Sequence, residues 1–238
     1  MKLALHLPTL GKNAAPDAVL SVARFADEHG LHSVWVYDHV VTPLTVDSRY
    51  PYSMDGRYGV DPEDDFYEPL AVLAHVAAVT TRVRIGTAVL VPMLRPPLLL
   101  AKQIATIDRL SGGRVVLGVG AGWLREEFEA LGVPFEQRGS RLEEYVGILR
   151  AAWQGTAPEF AGRFYRHPAV GMQPTPAAPG GRIPILFGGH SEAALSRVAR
   201  LGDGWAVAAP PSDDMIAAYA ERLGRLRVLC EQAGRRLQ

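Results

Sequence analysis

The sequence predicts an α/β protein, a (β/α)8 TIM barrel that lacks or truncates its eighth strand. Apolar strand-like runs alternate with amphipathic helical segments along the chain, which implies parallel strands joined by right-handed crossovers. We count seven such strands. The chain has 238 residues, close to the usual length of one such barrel. We therefore expect one domain over residues 1–238.

The first half of the chain provides four strands and three helices. The strands are short apolar runs, and they are KLALHL, SVWVY, VRIGTAVLV and RVVLGVG. The helices carry apolar residues at helical spacing, and they are APDAVLSVARFADEHG, YEPLAVLAHVAAVTT and PLLLAKQIATIDRLSGG. Gly30 ends the first helix. A polar and aromatic loop over residues 44–66 separates the second strand from the second helix.

The second half continues the alternation after a long helical stretch that includes SRLEEYVGILRAAW. Residues 155–181 then form an insertion rich in proline and glycine near its end, in which we expect one further strand. The remaining elements are the strand RIPILFGG, the helix SEAALSRVARLG, the strand GWAVAA and a last helix from about Asp213 to Ala233.

An opening is expected in the barrel, because an eighth strand would begin at AGRRLQ, where the sequence stops. The strands KLALHL and WAVAA should flank it. Unpaired strand edges carry N–H and C=O groups that need partners. A neighbouring molecule, a rearranged helix after Asp213 and further residues of a longer protein are the three fillings we consider.

Composition argues against several classes of function. The 25 basic residues equal the 25 acidic ones without a cationic block, so a nucleic-acid partner is not expected. No apolar run approaches a membrane span, and we expect a cytoplasmic protein. The single cysteine, Cys230, excludes an internal disulfide and a cysteine-rich metal site. The acidic cluster at 63–65 has no further ligand at metal-binding spacing, so we predict no metal.

In a barrel of parallel strands, the residues that do chemistry lie at the carboxyl ends of the strands and in the following loops. The expected positions are His6, Asp38, His39, Ala88, Val89, Leu90, Val91, Gly120, Ala121, Gly122, Trp123, Gly188, Gly189, His190 and Ser191. For His6 two interpretations stay open, a residue facing the barrel mouth and a packed core histidine.

The glycines of GVGAGW do not form a dinucleotide-binding fingerprint. Trp123 occupies the position whose glycine would pack helix against strand, and no Gly-Lys-Ser or Gly-Lys-Thr follows as in a P-loop. We predict instead a loop whose small residues let a flat ligand lie close to the backbone.

Two other motifs have competing interpretations. The free N–H groups at residues 188–191, with Ser191 as a cap, favour an anion, and a simple helix cap is the alternative. The Gly-x-Ser-x-Gly pattern is absent, which argues against a Ser-His hydrolase. We interpret Glu126, Glu127 and Glu129, beside Arg125, as a solvated first helical turn.

Three long segments resemble the luciferase-like monooxygenase superfamily, in particular its coenzyme F420-dependent oxidoreductase branch. They are SVWVYDHVVTP, the stretch from VRIGTAVLV to LRAAW, and IPILFGGHSEAALSRVARLGDGWAV. FMN-using members share the same barrel. The resemblance implies a TIM barrel with the deazaflavin or flavin across its mouth, and it suggests a homodimer.

The resemblance also implies roles for single residues. Asp38 and His39 match a pair that lies at the deazaflavin, and Gly188 to Ser191 match the binding site of the cofactor phosphate. Thr87 to Leu90 match a bulge, often with a non-proline cis peptide, that supports one face of the ring. Ala121 stands where the glucose-6-phosphate dehydrogenases of the family have a catalytic glutamate, which argues against that activity.

We therefore expect an oxidoreductase that moves a hydride between a small organic substrate and C5 of F420, with His39 as the acid–base group. The alternatives are an FMN-dependent monooxygenase and a non-catalytic binder of flavin or F420. His6 and Trp123 should face the substrate. Specificity should come from the loop 44–66, whose three tyrosines and Met54 could cover a hydrophobic molecule.

Overall fold

Six parallel strands form the single curled sheet of this half-barrel. The computed structural model of the chain describes residues 2–53, 55–207 and 213–236. The strand order is β1-β2-β3-β4-β9-β10. These strands are β1 (Ala4–His6), β2 (Ser33–Val36), β3 (Arg84–Leu90), β4 (Val115–Val119), β9 (Ile185–Gly188) and β10 (Gly204–Ala206), and β5 to β8 lie in the insertion.

Seven α-helices accompany the sheet in the described residues. They are α1 (Pro16–Glu28), α2 (Pro69–Val79), α3 (Pro97–Ser111), α4 (Arg125–Ala130), α5 (Arg138–Ala152), α6 (Glu192–Leu201) and α7 (Asp213–Gln232). Short 3-10 turns occur at Pro92–Leu94 and Pro179–Gly181. All five residues of β4 are buried, as expected of a strand with both faces covered. The predicted α/β barrel class is thus confirmed, in the form of a half-barrel.

The insertion differs from the prediction, because its expected strand does not join the main sheet. Residues 155–181 contain four strands of two residues each: β5 (Thr156–Ala157), β6 (Phe160–Ala161), β7 (Arg166–His167) and β8 (Val170–Gly171). Strand β5 pairs antiparallel with β8, and β6 with β7. Antiparallel pairs need only a short turn, whereas a strand of a parallel sheet needs a long crossover.

The opening predicted in the barrel lies between the two edge strands. Strands β1 and β10 stand at the ends of the strand order, and they belong to KLALHL and GWAVAA. The last residues of GWAVAA fall at 208–209, outside the described residues.

Charged side chains close the end of the half-barrel at which the strands begin, which we call the closed end. Arg114 donates hydrogen bonds to the carbonyl oxygens of Ala77, Thr80, Val83 and Ser111, at 2.7 to 3.1 Å. It therefore joins the end of α2 and the end of α3 to the residues that immediately precede β3 and β4.

Carboxylates act in the same way at this end. Asp27 accepts hydrogen bonds from the backbone N–H groups of residues 81–83, before β3. The buried Asp108 accepts from the N–H groups of Val115 and Ala178, which fixes the insertion beneath β4. The carboxylates of Asp27 and Asp108 are therefore both stabilised by hydrogen bonds from backbone N–H groups of the protein.

Candidate active site

The carboxyl ends of the strands open into one cavity of about 1190 Å³, which we call the mouth. Most of the residues predicted from strand ends line it. They are His6, Asp38, His39, Ala88, Val89, Val91, Gly120, Ala121, Gly122, Trp123, Gly188, Gly189 and Ser191. Their proximity agrees with one site, while their individual roles stay predictions.

Two of the predicted site residues do not line the mouth. Leu90 is fully buried in the core, because it faces the opposite side of β3 from its neighbour. The ring of His190 packs beside the mouth against Tyr52, Trp205 and Tyr219, with ring centroids 5.6 to 5.9 Å apart. Leu90 belongs to β3, where side chains alternate between the two faces, whereas His190 lies in the loop after β9.

The bulge predicted at the end of β3 is present. The pairing of β3 with β4 shifts register between Thr87 and Leu90, and the peptide bond between Ala88 and Val89 is cis. The Thr87 hydroxyl donates a hydrogen bond of 2.7 Å to the Gly118 carbonyl oxygen, which attaches the bulge to β4. Ala88 and Val89 are consequently turned toward the mouth.

Glycines on the neighbouring strands make room for this bulge. A Cβ atom on Gly118 would lie 2.0 Å from the carbonyl oxygen of Thr87, which excludes any other residue there. A Cβ atom on Gly120 or Gly188 would lie 2.6 or 2.9 Å from the methyl groups of Val89. These three glycines, one within β4, one after it and one at the end of β9, therefore accommodate the bulge and place no side chain of their own on the floor of the mouth.

His39 is bonded to a buried glutamate. Its Nδ1 lies 2.8 Å from Oε2 of Glu127, and the other carboxylate oxygen accepts the N–H groups of Val40 and Val41 at 2.6 and 3.3 Å. A carboxylate only accepts, so Nδ1 carries a proton, and in the neutral imidazole the lone pair belongs to Nε2. The pair thus fixes both the tautomer and the orientation of the imidazole.

The interpretation of Glu127 as part of a solvated turn is wrong. Its side chain is 1% exposed, and three hydrogen-bond donors compensate its burial. Leu124 and Phe128 are also buried, so this face of the first turn of α4 points inward. The helical spacing of those two apolar residues around Glu127 was the signal that could have revealed it.

Asp38 lines the mouth, but its carboxylate is engaged within the protein. Arg95 donates two parallel hydrogen bonds to it at 2.8 and 2.9 Å, and the Val91 N–H donates a third at 2.8 Å. Burial raises the pKa of the Asp38 carboxyl, an effect that the Arg95 guanidinium opposes. Arg95 also bonds Glu68. Sequence reasoning missed Arg95, whose role is to hold the end of β2 beside the bulge.

One corner of the mouth is suited to an anion. Ser191 caps α6 by accepting the Ala194 N–H at 3.2 Å, and Gly189 has a φ of +108° that few other residues adopt. Arg138 and Arg197 also line the mouth, and they are near enough to each other for their charges to interact; sequence reasoning missed both. We call Arg138, Gly189, Ser191 and Arg197 the anion corner.

The two arginines of the anion corner retain capacity for a ligand. Arg138 donates to the Gly122 carbonyl oxygen at 3.0 Å and packs on Phe135, while Arg197 lies 3.9 Å from Glu143. Burial lowers the pKa of the Arg197 guanidinium; the charge of Glu143 opposes this effect, and the charges of Arg200 and Arg138 add to it. An anion bound here would offset that repulsion.

The loop 44–66 adds an aromatic wall above His39. The wall consists of four residues of this loop, Tyr50, Tyr52, Tyr58 and Phe66, together with Trp123 from the loop after β4. The Tyr58 ring centroid lies 5.1 Å from that of His39 and 5.0 Å from that of Trp123. The three tyrosines thus line the mouth, and their covering of a substrate stays a prediction, whereas Met54 is outside the described residues.

The glutamate before Glu127 holds this loop in place. Glu126 accepts the backbone N–H groups of Asp47 and Ser48 at 2.8 and 2.9 Å. It too was predicted to be merely solvated. The two adjacent glutamates of α4 therefore bind the chain at both His39 and the start of the aromatic loop.

His6 faces the mouth and stacks on Tyr37, with centroids 4.4 Å apart and an interplanar angle of 8°. Burial lowers the pKa of His6, which keeps the ring neutral near pH 7. Of the two interpretations left open by the sequence, the structure favours the mouth-facing residue.

Neither a metal site nor a membrane span emerges from the described part of the chain. Within it, no three His, Cys, Asp or Glu side chains are grouped to hold a metal ion. None of its helices combines the length and the apolar character needed to cross a membrane.

Several known proteins are similar in sequence to this chain over most of the chain's length. The sequence profile of the luciferase-like monooxygenase family matches residues 3–238. An uncharacterized protein of Mycobacterium tuberculosis is 40% identical over 216 residues, 91% of this chain and 72% of the relative. An F420-dependent glucose-6-phosphate dehydrogenase of Nakamurella multipartita is 33% identical over 93% of this chain, which spans 60% of that enzyme.

A solved structure has a similar fold. The crystal structure of monooxygenase RslO1 from Streptomyces bottropensis superposes with a TM-score of 0.77 at 28% identity, covering all of this chain and 68% of that one. The chain therefore belongs to the luciferase-like monooxygenase family, and its similarity to an F420-dependent relative supports a place in the F420-dependent branch.

Proposed function

We propose that the protein is an F420-dependent oxidoreductase that transfers a hydride between a small organic substrate and C5 of F420. The observation that carries the proposal is the pair of His39 and Glu127 at the mouth, 2.8 Å apart. It provides one oriented proton acceptor next to the glycines of the floor, over which a ring system can lie.

The residues of the mouth fit this cofactor. Its volume of about 1190 Å³ accommodates a tricyclic ring together with a substrate. Gly120 and Gly188 leave Val89 as the side chain against which a ring would rest. The anion corner would hold the phosphate of the cofactor with two guanidinium groups and the N-terminus of α6. When bound, F420 supplies the hydride chemistry.

His39 moves the proton that accompanies the hydride. With Nδ1–H bonded to Glu127, Nε2 accepts a proton from a substrate hydroxyl or returns one to a carbonyl oxygen. The carboxylate stabilises the imidazolium that forms. The ion pair of Asp38 with Arg95 keeps the end of β2, and hence His39, in position.

The aromatic wall restricts the substrate and excludes water. A molecule between the wall and the floor would contact mainly aromatic carbon, which suits a small hydrophobic compound. Glucose 6-phosphate is not the substrate we propose, since Ala121 provides a methyl group where a catalytic glutamate is expected.

An FMN-dependent monooxygenase is the second candidate. The likeness to a monooxygenase at 28% identity favours it, and the anion corner would bind the FMN phosphate equally well in chemical terms. In that case His39 would serve a flavin that reacts with oxygen.

Separate fluorescence titrations of the purified protein with F420 and with FMN test the proposal. We expect F420 to bind more tightly. Arg197→Ala should weaken F420 binding about tenfold by removing a charge-assisted contact. Arg200→Ala is the matched control, because this exposed arginine lies on the same helix and is bonded to Glu143.

Equal or tighter binding of FMN would favour the monooxygenase. Binding of F420 with no redox change for any substrate tried would favour a non-catalytic binder. Equal F420 affinities of Arg197→Ala and Arg200→Ala would show that Arg197 does not contact the cofactor, and the anion corner would no longer be proposed as its phosphate site.

A further inference from the structure

The loop 44–66 divides its charged residues between the mouth and the solvent. Of its two basic residues, Arg49 lines the mouth and Arg57 does not. The other residues that the described loop presents to the mouth are aromatic, proline, glycine and valine residues. Its six acidic residues are all described by the structure, and none of them lines the mouth: Asp47, Asp55, Asp61, Glu63, Asp64 and Asp65.

A glycine of the same loop gives Arg49 a defined position. A Cβ atom on Gly56 would lie 2.6 Å from Nε of Arg49 and 3.3 Å from its Cζ, so the guanidinium packs directly on this glycine. Gly56 has a φ of +76°, which favours glycine, and its carbonyl oxygen accepts the Tyr50 N–H at 2.8 Å. Arg49 is therefore supported by the backbone of the loop, although the residue is exposed.

The guanidinium of Arg49 has no carboxylate partner in the part of the chain that the structure describes. The carboxylates that line the described mouth belong to Asp38 and Glu127, and both are buried and bonded to other groups. Arg138 and Arg197 form part of the anion corner, which we propose for the cofactor phosphate. Arg49 consequently remains as a positive charge that another ligand can use.

A carboxylate is the anion that best suits a single guanidinium in these surroundings. The N–H groups of an arginine form a planar fork that matches the two oxygens of a carboxylate. One arginine also balances the single negative charge of a carboxylate. A phosphate group carries a charge of about −1.5 to −2 at pH 7, which fits the two arginines of the anion corner better.

The aromatic wall lies between this charge and His39. Tyr50 follows Arg49 in the chain, and its ring centroid is 5.7 Å from that of Tyr58. The Tyr58 centroid is in turn 5.1 Å from that of His39. An apolar group can lie along these rings, with one end of the molecule at His39 and the other at Arg49.

We propose that Arg49 is a substrate-binding residue that pairs with a carboxylate, so that the substrate is an organic acid with an apolar body. This inference rests on the proposed function, because the acid is the compound that exchanges a hydride with F420. The carboxylate serves recognition and takes no part in the transfer. The wall contacts the apolar body, and Arg49 distinguishes acids from neutral compounds of the same shape.

Binding of two probes of nearly equal shape tests the inference. Cyclohexanecarboxylate is an anion at pH 7, whereas cyclohexanecarboxamide is neutral. Both are titrated by calorimetry, with and without F420, into the wild type, Arg49→Gln and Arg57→Gln. Arg57→Gln is the matched control, because Arg57 is an exposed arginine of the same loop that does not line the described mouth.

We expect the wild type to bind the carboxylate more tightly than the amide. Arg49→Gln should weaken carboxylate binding about five- to tenfold and leave amide binding unchanged, because it removes one partly solvated ion pair. Arg57→Gln should change neither affinity. The affinity for F420 should be the same in all three proteins.

The inference would be overturned if the wild type did not prefer the carboxylate, or if Arg49→Gln lost no more carboxylate affinity than Arg57→Gln. An equal loss for both probes would also overturn it. Weaker F420 binding by Arg49→Gln, with unchanged probe binding, would assign Arg49 to a carboxylate of the cofactor instead of the substrate. A protein that does not bind F420 yet distinguishes the two probes through Arg49 would contradict the proposed function alone.

Discussion

The two ends of the half-barrel use their polar side chains in opposite ways. At the closed end, Arg114 and Asp27 bond to the backbone of neighbouring elements. At the mouth, the Tyr58 hydroxyl has no partner among the described residues, and Arg197 approaches its nearest carboxylate only at 3.9 Å. Nε2 of His39 likewise keeps its lone pair.

This difference separates stability from function. A polar group whose hydrogen bonds are all made within the protein contributes to folding and has little left for a ligand. A group held in place but incompletely bonded contributes little to folding and retains its capacity for binding. Substitutions at the closed end should therefore lower stability, and those at the mouth should lower binding or turnover.

The largest effect is expected for His39→Ala. Removing the acid–base group should reduce hydride transfer by about 10²- to 10⁴-fold. F420 affinity should change little and the fold should be retained, but the thermal midpoint should fall, because Oε2 of the buried Glu127 loses its hydrogen bond from His39. Hydride transfer is followed by the loss of F420 fluorescence, once a substrate is known.

His29→Ala is the control for this variant, since His29 is exposed at the end of α1. Turnover of His39→Ala within a few-fold of the wild type would make His39 a structural residue. The proposed reaction would then have no assigned acid–base group.

Arg114→Met should have the next largest effect, and on stability alone. Its guanidinium satisfies four carbonyl oxygens and the Thr80 hydroxyl, so the free energy of unfolding should fall by about 2 to 4 kcal/mol. Urea unfolding at pH 7 measures the loss. F420 affinity of the folded variant should match the wild type.

Arg109→Met provides the comparison, because Arg109 is exposed near the end of α3. It should change the free energy of unfolding by less than about 0.5 kcal/mol. Weakened F420 binding in folded Arg114→Met would show that the two ends are coupled, and the division between them would fail.

The elements were predictable from the sequence because their signals are local. The alternation of apolar strands with amphipathic helices located all six strands of the main sheet, and strand ends located His39 and Trp123. The insertion was mispredicted because strands of two residues leave no periodicity to recognise.

The bonds that organise the site were not predictable, because they join distant parts of the chain. His39 and Glu127 are 88 residues apart, and Asp38 and Arg95 are 57 apart. The charged residues along one helix can be recognised in the sequence, but the sequence does not show which of them will contact the residues after a distant strand. The one signal in the sequence was the helical spacing of the apolar residues Leu124 and Phe128, which indicates that Glu127 faces inward with them.

The smallest effect is expected at the closed end, from Asp27→Asn at low pH. Burial acts to raise the pKa of the Asp27 carboxyl, but the N–H groups of residues 81–83 outweigh it and lower the pKa from 3.8 to about 2. A lowered pKa stabilises the fold above the unfolded-state value. That contribution is therefore complete above about pH 5 and disappears as the pH falls from 4 toward 2.

Asparagine does not titrate, so the difference in unfolding free energy between the wild type and Asp27→Asn isolates this carboxylate. We expect the difference to shrink by about 1 kcal/mol between pH 5 and pH 2.5, after allowance for the solvent that reaches the group. Urea unfolding at several pH values measures it, with Glu28→Gln, an exposed neighbour, as the control. A difference that stays constant over this range would mean that the hydrogen bonds from residues 81–83 to Asp27 do not depend on its charge. A neutral acceptor at position 27 would then stabilise the closed end as well as the carboxylate does.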